Sequence, residues 1–118
     1  MNLLKMIRSF RPALSGMRSA FITENNIRIH LLAAFAAVSA GIYFHLPRSE
    51  WLWLVAAIGC VLAVEYLNTA IEKLTDIVAP QFNENAGNVK DISAASVLIT
   101  SITAVIIGAV IFLPYLVK

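Results

Sequence analysis

The chain has 118 residues, 59% of them hydrophobic and 14% charged, with a formal net charge of +2. A mean hydropathy of +0.79 excludes a packed water-soluble domain, a lone cysteine, Cys60, excludes a disulfide framework, and so small a net charge gives no reason to expect nucleic-acid binding. What fits is an all-α integral membrane protein forming one domain over residues 1–118, with room for three spans of about 20 residues.

The first predicted element is a surface helix over residues 1–28. Leu3, Leu4, Met6, Ile7, Phe10, Leu14, Met17 and Phe21 alternate with bases up to Arg28, the pattern of an amphipathic helix lying on a membrane. Pro12 should start or kink a helix there. No secretory core followed by a cleavage site is seen, so no processing is expected. Residues 29–46 form the first membrane helix, bounded by His30 and by His45, Leu46 and Pro47, with both histidines read as interface residues. Ala33, Ala34, Ala36, Ala37, Ser39, Ala40 and Gly41 favour close helix packing along it. Pro47, Arg48, Ser49 and Glu50 form a turn, and Trp51 and Trp53 then open a second membrane helix over residues 51–78 as interfacial anchors. Cys60, inside that apolar run, reads as a buried small hydrophobe. Pro80, Asn83, Asn85 and Gly87 mark a connecting loop, and the third membrane helix covers residues 92–116, closed by Pro114 and Lys118.

Lys and Arg near the ends of spans stay on the cytoplasmic side. Lys5, Arg8, Arg11, Arg18 and Arg28 precede the first span and Lys73 and Lys90 flank the second loop, whereas only Arg48 and Lys118 fall on the other side. The N-terminus is therefore expected to be cytoplasmic, and the basic surface helix to meet anionic headgroups.

Glu65, Asn68, Glu72 and Asp76 stand out in the second membrane helix. At about 100° per residue their side chains fall within roughly 80° of one another, with Thr69 beside them, so they form one polar face. No charged residue occurs from Trp51 to Val64, which places Glu65 at a depth where a charge costs at least ~2.5 kcal/mol. Grouped carboxylates bind divalent cations or move protons. Mg²⁺, a hard cation, is usually shared between one or two carboxylates and substrate phosphates, a nearby lysine can neutralise a transferring phosphate, and a metal-free carboxylate can take a proton from an attacking hydroxyl. Glu24, Lys90 and Asp91 fall on the same side of the membrane as the stripe. No Walker-type phosphate loop is present. The residues alone leave three classes open: phosphoryl transfer, proton or cation translocation through intramembrane acids, and a noncatalytic membrane subunit.

The run Glu65-Tyr66-Leu67-Asn68-Thr69-Ala70-Ile71-Glu72, with Asp76 four residues on and Lys90-Asp91 after a short loop, resembles the signature of the prokaryotic diacylglycerol kinase family. The resemblance extends upstream from Ser15-Gly16-Met17-Arg18 to Glu24. Asn68-Thr69-Ala70 and Asn26-Ile27-Arg28-Ile29-His30-Leu31 look more like its undecaprenol kinase branch. The resemblance implies a homotrimer in the bacterial inner (cytoplasmic) membrane that uses ATP and Mg²⁺ to phosphorylate a membrane lipid alcohol, undecaprenol or diacylglycerol, within lipid metabolism and phospholipid biosynthesis. It implies Glu65 as the general base meeting the lipid hydroxyl, Glu24 and Glu72 as ligands of the Mg²⁺ that bridges the nucleotide phosphates, and Lys90 and Asp91 as nucleotide contacts. Asn68 and Asp76 would support them. Lys5 and Phe82 fall where further nucleotide contacts occur, and Ser15 and Arg18 where the lipid passes. Gln81, Phe82 and Asn83 keep the aromatic of an acidic-aromatic-histidine stretch but neither the acid nor the histidine.

Overall fold

Two of the helices of this chain open on an asparagine side-chain cap, Asn2 and Asn83. The computed structural model describes residues 2–117 and consists of α1 (Leu3–Thr23), α2 (Asn25–Tyr43), α3 (Arg48–Val78) and α4 (Glu84–Leu116). The Asn2 side chain accepts from the Lys5 backbone N–H at 3.3 Å, satisfying one of the donors that open α1. The helix continues through Pro12.

The sequence reading carries the surface helix to residue 28, but α1 ends at Thr23. Glu24 alone is extended, with φ −109° and ψ 112°, and serves as the C-cap of one helix and the N-cap of the next. Arg28 explains the break. Its Nη1 reaches back to donate to the carbonyls of Phe21 at 3.0 Å and Ile22 at 2.7 Å, satisfying acceptors that a helix end otherwise leaves open.

Between α2 and α3 the chain closes a Schellman turn. The N–H of Leu46 donates to the Gly41 carbonyl at 3.1 Å and that of His45 to the Ile42 carbonyl at 3.3 Å. His45 occupies the left-handed position of this motif, at φ 56°, where glycine is usual. Gly41 is required for a different reason: a Cβ there would lie 2.7 Å from the Trp51 ring. Trp51 is thus half-buried on the hairpin rather than a free interfacial anchor, whereas Trp53 is exposed. Pro47 caps α3, so Arg48, Ser49 and Glu50 form its first turn instead of a loop.

α3 has 31 residues, about 46 Å at 1.5 Å per residue, and so outlasts a hydrocarbon core of about 30 Å. α4 begins at Glu84, eight residues before the apolar run, because the Asn83 side chain accepts from the backbone N–H of Asn85 (2.8 Å) and Ala86 (3.3 Å). Asn85 and Gly87, read from sequence as loop, are therefore helical. At the other end α4 passes through Pro114 to Leu116.

α3 packs along α4 and against α2, and α1 touches both α2 and α3. α2, α3 and α4 are long and apolar enough to cross a membrane, and the chain is an all-α membrane protein. Burial is inverted relative to a soluble domain. Glu65, Asn68, Thr69, Thr75 and Ser93 are buried, while Phe35, Val105 and Val110 are exposed, as expected where lipid or another apolar surface replaces water outside. Cys60, read from the sequence as a buried small hydrophobe, is exposed as well, like the other apolar side chains on the outer faces of the helices.

Candidate functional site

The polar stripe on α3 lies at the level where α2 and α4 close on it. Glu65 is 2% exposed. Its Oε2 is buried without a hydrogen-bond partner among the described residues, and the group that faces it is His30 Nε2, 3.4 Å away on α2. Three residues on, Asn68 Nδ2 donates to Glu72 Oε1 at 3.2 Å, and its Oδ1 accepts from Ser93 Oγ of α4 at 2.7 Å. The amide is thus fixed at both ends, with its nitrogen toward the carboxylate. One helical turn further, Lys90 Nζ of α4 pairs with Asp76. Glu24, half-buried at the α1–α2 junction, and Glu72 both act on Glu65 as neighbouring like charges. Two carboxylates of α3 and one from the α1–α2 junction are therefore near enough to influence one another, without closing into a cluster.

The remaining sequence candidates are distributed unevenly. Lys90 is at the site through Asp76, whereas Asp91, one residue on, is exposed. Ser15 and Arg18 lie exposed on α1, and Lys5 lies near its start. Phe82, in the α3–α4 connection, is 94% exposed and makes no part of the convergence within one protomer.

Three residues at the site were missed in the sequence. Ser93 stands in an apolar helix, where no sequence pattern marks it. His30 reads as an interfacial histidine; only its half-buried position opposite Glu65 gives it a further role. Tyr66 was noted only as part of the motif, yet its hydroxyl donates to the Met17 carbonyl at 3.1 Å, joining α1 to α3 beside Glu65.

The family model of prokaryotic diacylglycerol kinase matches residues 11–112, nearly the whole of this arrangement. The chain belongs to that family. It is 36% identical to a diacylglycerol kinase of Synechocystis over 92% of its own length, spanning 63% of that relative. It is 34% identical to the undecaprenol kinase of Bacillus subtilis over 98% of its length and 94% of the relative, and 31% identical to the diacylglycerol kinase of Escherichia coli over 86% and 84%. By family, then, it is an enzyme, a lipid kinase.

For a kinase of this family the donor set decides what cation could be held. Among the described residues, no three His, Cys, Asp or Glu side chains converge into a cage of their own. Glu24 and Glu72 instead offer hard oxygens from two elements. That composition fits Mg²⁺ shared with phosphate oxygens, which needs only one or two protein carboxylates.

Proposed function

We propose that the chain transfers the γ-phosphoryl group of ATP to the hydroxyl of a membrane lipid alcohol, undecaprenol or diacylglycerol, at the cytoplasmic face of the bacterial inner membrane. The observation that carries this reading is the buried Glu65 carboxylate, whose Oε2 has no hydrogen-bond partner among the described residues, flanked by Glu24 and Glu72.

In this reading Glu65 accepts the hydroxyl proton as the lipid oxygen forms its bond to the γ-phosphorus. The bond from that phosphorus to the bridging β-oxygen breaks, and ADP leaves with the electron pair. Bound Mg²⁺ supplies charge neutralisation on the nucleotide phosphates. Glu24 and Glu72 would hold it, and Asn68, itself fixed by Ser93, orients the Glu72 carboxylate. Lys90 and Asp91 contact the nucleotide, with Asp76 positioning the lysine. α1 lies on the inner leaflet with its exposed Phe10, Leu14 and Met17 in the headgroup region, and Lys5, Ser15, Arg18 and Phe82 serve ATP or lipid only in an assembly. That assembly is a homotrimer. The exposed apolar faces of α2 and α4 support it, because packing in a bilayer proceeds through such surfaces.

The test is a radiolabelled-ATP assay on the purified chain in bilayer or detergent, with undecaprenol and diacylglycerol offered side by side, with and without Mg²⁺. Label should enter a lipid only when Mg²⁺ and alcohol are both present, and the labelled lipid identifies the acceptor. Glu65→Gln should lower turnover by ~10²–10⁴, the range of a general base, while leaving assembly intact. ATP consumption that ignores lipid would end the reading.

A further inference from the structure

His30 is the group best placed to govern Glu65. Its Nε2 lies 3.4 Å from Glu65 Oε2, close enough for an ion pair but not aligned as a hydrogen bond. The other ionisable groups acting on Glu65 are the carboxylates of Glu24 and Glu72, both of which repel it. A carboxylate 2% exposed, facing like charges and with no hydrogen-bond donor on Oε2 among the described residues, has nothing else on that oxygen to fix its orientation. The imidazole comes from a separate helix, and its side chain is 24% exposed, so one edge is open while the other faces the buried acid. The next wall of the same region is mainly apolar: His30 borders a cavity of about 470 Å³ between α2, α3 and α4, lined by Ala33, Ala37, Ala57 and Val61. Besides the ring, the side-chain donor in that lining is the Ser101 hydroxyl of α4, and it makes no hydrogen bond to Glu65 Oε2.

We infer that His30 is a positioning residue: it donates from Nε2 to Glu65 Oε2, so that Oε1 is the oxygen left to meet the lipid hydroxyl. This rests on Glu65 being the base, as proposed above. Hydrogen bonds of this kind are often long without substrate and tighten in the reacting complex. The reaction's balance is unchanged, because the proton still passes from hydroxyl to Glu65 and His30 only keeps the accepting oxygen aimed.

The experiment compares His30→Leu, His30→Gln and His30→Asn with Glu65→Gln in the full-length assembled protein, reading kcat, KM for ATP, KM for the lipid alcohol and elution volume. Gln can extend a donor to about the position of Nε2, whereas Asn is too short and Leu has none. His30→Leu and His30→Asn should lower kcat by about 100-fold, the penalty of a misplaced reacting group, with KM for ATP unchanged. His30→Gln should return most of it. A purely structural histidine would instead move elution and KM together and show no preference for Gln over Asn. If His30→Leu does not assemble, the Gln and Asn variants decide alone, and equal kcat in the two overturns the inference. Wild-type kcat in His30→Leu beside an inactive Glu65→Gln also overturns it while leaving the base intact. Full activity in Glu65→Gln removes both.

Discussion

Ser93 Oγ on α4 donates to Asn68 Oδ1 on α3 at 2.7 Å, and both residues are buried. That one bond fixes which end of the amide faces Glu72, since an Asn with its oxygen engaged must turn its nitrogen to the carboxylate. Ser93→Ala leaves the Asn68 oxygen without its partner, at a cost of about 1–3 kcal/mol for a buried polar group. Thermal unfolding in detergent should show the loss. Turnover should fall with it, and Ser93→Thr, which keeps the hydroxyl, should lie nearer the parent than Ser93→Ala.

Glu72→Gln separates charge from hydrogen bonding. The Gln carbonyl still accepts from Asn68 Nδ2, but the negative charge offered to a cation is gone. The Mg²⁺ concentration giving half-maximal turnover should rise by at least about tenfold, because even indirect partners of a metal site cost ~10–100-fold in affinity. A Mg²⁺ titration of ATP-dependent lipid phosphorylation measures this. An unchanged midpoint would remove Glu72 from the cation.

Tyr66→Phe removes the bond to the Met17 carbonyl and little else. The stability effect should be small, about 0.5–1.5 kcal/mol. The local effect should be larger, with faster amide exchange over Ser15–Thr23 of α1 and unchanged exchange in α4. Hydrogen-exchange mass spectrometry in detergent resolves the two.

Two substitutions in the α2–α3 turn should have opposite signs. Gly41→Ala drives a methyl into the Trp51 ring and should destabilise by about 1–3 kcal/mol, as overpacking does. His45→Gly relieves a side chain held at φ 56° and should stabilise by about 1 kcal/mol. Unfolding midpoints of the two variants test both signs at once.

The α3 stripe was legible because helical periodicity alone aligns residues 65, 68, 72 and 76, and the apolar run before them says that the charges must face something other than lipid. Glu24 was not legible that way. It looks like a solvated residue near a helix end, and only the likeness of the surrounding run to a family signature singled it out. Ser93 and His30 reach α3 from 25 and 35 residues away respectively, through packing that no local pattern encodes. The early start of α4 was hidden for a different reason: Asn83, Asn85 and Gly87 are turn formers by composition, yet one Asn side chain capping two amides is enough to draw the others into a helix.

The break between α1 and α2 is a single residue long, with Arg28 clamped onto the carbonyls on its far side. A joint so short has no slack. Any change in the angle between α1 and the first span is therefore taken up at Glu24 itself, because that residue is the whole of the joint.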